Sequence, residues 1–166
     1  LLGQVDAARV HYAEAERILA LSNTQTMAPA IWLAHARWLI AWGELDGAAS
    51  RLDAADRALV ERHGADHPEQ ARVAYLRSLL RIARGDVAGG RADLAAAIVR
   101  LKAAGPSVAM HVPRALTDQA QFALAAGEAA QAIASARAAL TLDAPDYERH
   151  LTRAVLADAE RALLRP

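Results

Sequence analysis

Four glycines divide this chain at nearly equal intervals: Gly3, Gly43, Gly85 and Gly127 stand 40, 42 and 42 residues apart, each followed by an Ala-rich stretch of helical length. A fixed period of that size marks a helical repeat array, in which each unit carries an apolar stripe that its neighbours must cover. Counting from each glycine gives columns of like residues. Five on are Ala8, Ala48, Gly90 and Ala132, all small, as a close approach of two helix backbones requires. Nine on are Tyr12, Leu52, Leu94 and Ala136, and twelve on are Ala15, Ala55, Ala97 and Ala139. Sixteen on, Leu19, Leu59 and Leu101 keep the pattern and Asp143 breaks it; seven before, Ala36, Ser78 and Ala120 are again small. The expected fold is all-α, with seven or eight helices in antiparallel pairs.

This alternation resembles tetratricopeptide repeats, carried by Trp32, Ala36, Gly43, Ala48 and Ala55 at the offsets of that family. The 42-residue period and the junction from Gly64 to Pro68 look more like the kinesin-light-chain variety than the 34-residue one. The resemblance spans essentially the whole chain and implies a right-handed superhelix, an α-solenoid, over residues 1–166. Its expected parts are the second helix of a truncated repeat at 1–25, repeats at 26–64, 67–105 and 107–142, and a terminal helix at 146–166. Leu1, Leu2 and Gly3 read as the tail of a helix that starts upstream, so the chain is expected to be a fragment of a larger protein.

Local signals place the elements. Val5, Ala8, Tyr12, Ala15 and Leu19 share one face of the helix from Gln4 to Ser22; residues 23–26 form a turn with Thr26 as the next cap. The helix from Met27 to Trp42 carries Trp32, Trp38 and Trp42, which are expected to pack between repeats. Gly64 ends the helix from Glu44 to His63, and Asp66 caps its successor with Pro68 in the first turn. Gly89 and Gly90 inside a helix cost about 1 kcal/mol each relative to Ala, which close helix contact must offset. A helix from Gly105 to about Ala126 admits Pro113 only near its start. Asp146 is read as the cap of the last helix, from Tyr147 to Leu164, whose charged residues suit an outer face.

Composition removes several function classes. The 166 residues carry 19 basic and 19 acidic side chains, so no net field exists to hold nucleic acid or an anionic membrane. There is no cysteine, hence no disulfide or thiolate metal site. No run of about 18 apolar residues is present, so no membrane span is expected and the location is read as cytoplasmic. Heavy use of Ala and Arg points to a GC-rich bacterial genome. His63 and His67 have helical metal-pair spacing, but Gly64 separates them and no third ligand is near. The six histidines are scattered, the serines lack a nucleophile-elbow context, and paired acids sit on solvated faces. No catalytic residue, metal or cofactor is therefore expected, and the chain is not read as an enzyme.

The family resemblance implies that first helices line a groove for an extended peptide or a partner's helix. Carried over by offset, the groove stripe comprises Ala30, Arg72 and Arg114; Leu33, Tyr75 and Thr117; Arg37, Leu79 and Gln121; and Ile40, Ile82 and Leu124. Its core positions are Leu33, Arg37, Arg72, Tyr75, Leu79, Arg114, Thr117 and Gln121. Arginines beside apolar residues suit an acidic or carboxylate-bearing peptide, from a partner or from the parent chain. The competing reading pairs those arginines with carboxylates of their own repeats. A rotated alternative puts His35, Arg77 and Gln119, eight before each glycine, in the groove. The expected function is a non-catalytic scaffold in a bacterial signalling protein, of the kind associated with kinases or ATP-dependent transcriptional regulators. A structural or self-association module, including a homodimer through the N-terminal helix, is the alternative, and a small-molecule sensor ranks third.

Overall fold

A computed structural model of the chain describes residues 2–21 and 25–164. It is all helix, with no strand among the described residues. The elements are α1 (Leu2–Leu21), α2 (Ala28–Trp42), α3 (Leu45–His63), α4 (Gln70–Ala83), α5 (Val87–Ala103), the one-turn α6 (Pro106–Ala109), α7 (Val112–Ala125), α8 (Ala129–Leu140) and α9 (Asp146–Leu163), with a 3-10 turn at Gln25–Met27. The tightest packing joins α2 to α3, α4 to α5 and α7 to α8. Each of these hairpins then packs on the next through α3 with α4, α5 with α7, and α8 with α9. First helices also meet one another, α2 on α4 and α7 on α9, whereas α4 and α7 stand further apart across the α6 insertion. This neighbour-by-neighbour packing is compatible with a helical repeat fold.

The recurring glycine closes each hairpin. Gly43, Gly85 and Gly127 have φ of 78°, 99° and 78°, a left-handed backbone that a side chain would strain. Their N–H groups donate to Ile40 O, Ile82 O and Leu124 O at 3.2, 2.9 and 3.0 Å. The following N–H groups of Glu44, Asp86 and Glu128 reach back to Leu39 O, Arg81 O and Ala123 O at 2.9, 3.2 and 2.9 Å. This is the Schellman arrangement, repeated at each hairpin, and it satisfies carbonyls the helix end leaves open. Gly3 lies instead within α1, so no such turn forms there.

The columns form the core of the hairpins. Ala48, Leu52, Ala55 and Leu59 are 0–3% exposed, as are Leu94, Ala97 and Leu101 and, from the third hairpin, Ala132, Ala136 and Ala139. Gly90 has no room for a side chain: a Cβ there would lie 2.4 Å from Ile82 Cγ1 and 2.9 Å from backbone Ile82 N and Ser78 O. In α1 the same columns, at Ala8, Tyr12, Ala15 and Leu19, are only half-buried, and Val5 lies outside the described side chains.

Several local expectations need correction. Thr26 sits in the 3-10 turn and the cap position of α2 is Met27; Asn23 and Thr24 lie outside the described residues. Asp66 does not cap α4, which begins at Gln70 after a turn closed by Gln70 N to His67 O at 2.9 Å. Asp146 is the first residue of α9, with Pro145 before it. The single helix expected up to Ala126 is split into α6 and α7, because Pro113 has no N–H to give and its ring clashes with the carbonyl four residues back. Trp32 and Trp38 pack on the core, but Trp42 is 49% exposed, tilted against Trp38 at a ring separation of 6.1 Å.

Candidate functional site

The side chains that converge most are polar and belong to three first helices. Asp118 of α7, its side chain 6% exposed, accepts from Tyr75 Oη of α4 at 2.5 Å, from Arg37 Nη2 of α2 at 3.0 and 3.3 Å, and from Arg114 Nε at 3.3 Å. Arg37 also donates to Tyr75 Oη and lies with its guanidinium carbon 5.5 Å from the centre of that ring. The network crosses the gap between α4 and α7 that the backbones leave open. Burial and the neighbouring carboxylate push the Tyr75 phenol well above its ordinary pKa, so it remains a donor.

Arg72 lies beside this network. Its side chain is 16% exposed and stands 3.7 Å from Glu69 Oε2, an ion pair rather than a hydrogen bond. Burial lowers its pKa from the ordinary arginine value, Glu69 acting against the shift. His111, at the start of α7, has its pKa lowered to about 4 by burial and then by the charges of Arg72 and Arg37, so it is neutral at pH 7. Three arginines meet Asp118 and Glu69 at this surface, with Glu148 close by on α9, bonded to Tyr147, whose ring lies within the field of Arg114 and Arg37. One carboxylate thus serves two guanidiniums, and the Nη groups of Arg114 make no hydrogen bond among the described residues.

The expected groove residues therefore divide. Arg37, Arg72 and Arg114 gather at one surface with Tyr75, but Tyr75 is only 3% exposed and serves as a bridge between helices. Leu33 and Leu79, at 0% and 7% exposed, belong to the hydrophobic core and offer a ligand nothing. Thr117 is buried, donating to Pro113 O or sharing a 2.7 Å bond with Thr152 Oγ1 of α9. Gln121 is half-buried beside them on α7. Pairing with carboxylates of their own repeats, the competing reading, describes Arg72 with Glu69 and Arg114 with Asp118, whereas Arg37 crosses to Asp118 of another repeat.

No family model matches the sequence, and no curated protein or solved structure matches it at a significant level. The likeness to tetratricopeptide repeats rests on the columns alone.

The rotated stripe faces elsewhere. His35 Nδ1 lies 2.8 Å from Glu16 Oε1 of α1, Arg77 bonds Asp53 and Asp56 of α3 at 2.9 and 2.8 Å, and Gln119 accepts from Ser135 of α8 at 3.1 Å. All three point toward second helices. Sequence reasoning missed Asp118, although a signal was present: nine before each glycine stand Ala34, Leu76 and Asp118, an acid in an otherwise apolar column. His63 and His67 stack at 4.5 Å, and no cluster of three metal-ligating side chains occurs among the described residues. No described helix is long and apolar enough to cross a membrane.

Proposed function

We propose that this chain is a non-catalytic docking scaffold of the tetratricopeptide kind, a right-handed array whose first helices receive an acidic extended segment. The observation that carries this reading is the convergence of Arg37, Arg72 and Arg114, contributed by α2, α4 and α7, around the single buried carboxylate of Asp118. A half-buried guanidinium with open Nη groups gains from a carboxylate partner, because desolvation has already weakened its competition with water. The kinase or transcriptional-regulator setting follows from family analogy only. The second reading, a structural or self-association module, is favoured by the pairing of Arg37 and Arg114 with Asp118 without any ligand.

The test is titration of the chain with an octaglutamate peptide, with its C-terminus free or amidated. Loss of a charged hydrogen bond is worth about 1.5 kcal/mol, so Arg72→Gln or Arg114→Gln should weaken binding about tenfold each, and added salt should weaken it further. Arg161→Gln, on the exposed end of α9 and paired with Asp158, should leave it unchanged. Equal loss in that control, or loss confined to Arg77→Gln, would sink the assignment of the groove.

A further inference from the structure

The middle hairpin departs from its neighbours at three columns that meet in one place. Eleven before each glycine stand Trp32, Ala74 and Leu116, so the middle hairpin has a methyl group where the others have a half-buried indole and a buried isobutyl group. Fifteen before stand Ala28, Gln70 and Val112, an amide in a column that is otherwise apolar and is buried throughout. Fifteen after stand Ala58, Arg100 and Leu142. Because α4 and α5 run antiparallel about Gly85, equal offsets before and after the glycine lie across from each other. Gln70 at the start of α4 therefore stands opposite Arg100 near the end of α5.

The vacated space is a cleft of about 310 Å³. Its walls are apolar, with Val73 and Ala74 of α4 against Ala96 and Ala97 of α5. Its two ends differ in what their polar groups are doing. At one end Arg77 and Asp93 are already paired, Arg77 with Asp53 and Asp56 at 2.9 and 2.8 Å and Asp93 with Arg81 at 2.7 Å. At the other, Arg100 is exposed and makes no hydrogen bond or ion pair among the described residues. Beside it Gln70 is 8% exposed, and its amide nitrogen is buried without a partner. A buried donor with no acceptor is costly, and a column that holds Ala or Val elsewhere has no packing need for one. Since this side chain holds no hydrogen bond among the described residues, its amide can turn to an acceptor in the cleft without breaking one.

We infer that the cleft binds a small amphipathic monocarboxylate, its carboxylate held between Arg100 and the Gln70 amide and its apolar body in the space that Ala74 leaves. The one unspent charge in the cleft is positive, which sets the charge of the ligand. The column sets the size of the body, since the fold fills the same place with an isobutyl group in one hairpin and an indole in another. Arg37, Arg72 and Arg114 do not line this cleft, so the site stands apart from the docking surface proposed above.

Nuclear magnetic resonance titration of the isotope-labelled chain with indolepropionate tests this. The probe joins an indole to one carboxylate, and a dissociation constant of about 1 mM is expected for a ligand of its size. The Gln70 side-chain amide resonance, identified by its loss in Gln70→Met, should shift on binding. Indolepropionamide, which lacks the charge, should bind at least about tenfold more weakly. Arg100→Gln, at an exposed position, should weaken the acid by about the same factor and leave the amide unchanged. Ala74→Leu supplies the residue that the third hairpin has in this column, and should abolish binding without loss of helix by circular dichroism. Ala96→Leu closes the cleft from its exposed side should Ala74→Leu disturb the fold. Arg72→Gln, which belongs to the docking surface, should leave binding unchanged, so failure of this site and failure of octaglutamate docking are told apart. No binding at about 10 mM, equal binding of acid and amide, or undiminished binding to the leucine variant overturns the inference. So does equal weakening by Arg72→Gln, because the probe would then be reading the docking surface.

Discussion

The hairpin α4–α5 and the hairpin α7–α8 share one backbone plan and are held together differently. In α4–α5 the columns nine and sixteen after the glycine are Leu94 and Leu101, 1% and 0% exposed, within the main hydrophobic cluster. In α7–α8 the same columns are Ala136 and Asp143; Val112, Ala115, Leu116 and Ala139 still join the main cluster, and the rest of the core divides into small clusters, Ala120, Ala136 and Val155, and Ala123, Ala132 and Ala159. Each leucine replaced by alanine removes about 2 kcal/mol of apolar burial. Polar bridges stand where the aliphatics are missing: Asp118 to Tyr75 and Arg37, Thr117 to Thr152, and Ser135 to Gln119. Repetition thus fixes the path of the backbone, while the source of stability is free to change from one hairpin to the next.

The comparison breaks first if the leucine column is dispensable. Leu94→Ala should cost about 3–4 kcal/mol in urea unfolding, the sum of lost transfer energy and residual cavity. At the same column of the third hairpin, Ala136→Gly should cost only about 1 kcal/mol, the helix-propensity difference. Equal costs at the two sites would mean that the hairpins are held alike.

Next in size is the polar bridge. Asp118→Ala should cost about 3 kcal/mol, because it leaves the buried Tyr75 hydroxyl and the half-buried Arg37 without their shared acceptor. A double change to Asp118→Leu with Tyr75→Phe should recover part of that loss, since removing both partners removes the unsatisfied groups too. If the single change is neutral, the bridge contributes nothing to joining α4 and α7.

How much of this was legible in the sequence follows from what each feature depends on. The hairpin turns and the small-residue columns are set by local backbone conformation and helix contact, so Gly43, Gly85, Gly127, Ala48, Gly90 and Ala132 announced themselves. Helix starts were less visible: Thr26, Asp66 and Asp146 have the right chemistry for caps, but backbone turns and prolines decide where α2, α4 and α9 begin. The offset stripe did not show that Leu33, Tyr75, Leu79 and Thr117 are buried, although Arg37, Arg72 and Arg114 from the same stripe lie near one another. A 3.6-residue period places a side chain on a face, but burial depends on how far apart neighbouring helices stand. Asp118 was missed for the same reason, since its partners lie 43 and 81 residues away in the chain.

The smallest effect sharpens the comparison by pH, because His111 sits at the entry to α7 between the two hairpins. Burial and the charges of Arg72 and Arg37 hold its pKa at about 4 in the folded chain, against about 6.5 when unfolded. Between those values the unfolded chain binds a proton that the folded one does not, so stability falls as pH drops from about 6.5 toward about 4. Above about 6.5 the ring is neutral in both states and its contribution is constant. A full shift of that size corresponds to about 3 kcal/mol; with the ring only part-buried, solvent screening reduces the expected loss to about 2 kcal/mol. Urea unfolding at pH 7 and pH 4.5, for the unaltered chain and for His111→Gln, measures it. The difference between the two proteins isolates His111 from the other histidines and the carboxylates, all of which both share. The unaltered chain should lose stability faster on acidification. If both lose it equally, protonation of His111 is not opposed by Arg72 and Arg37, and the junction between α4 and α7 is less cationic than the cluster around Asp118 requires.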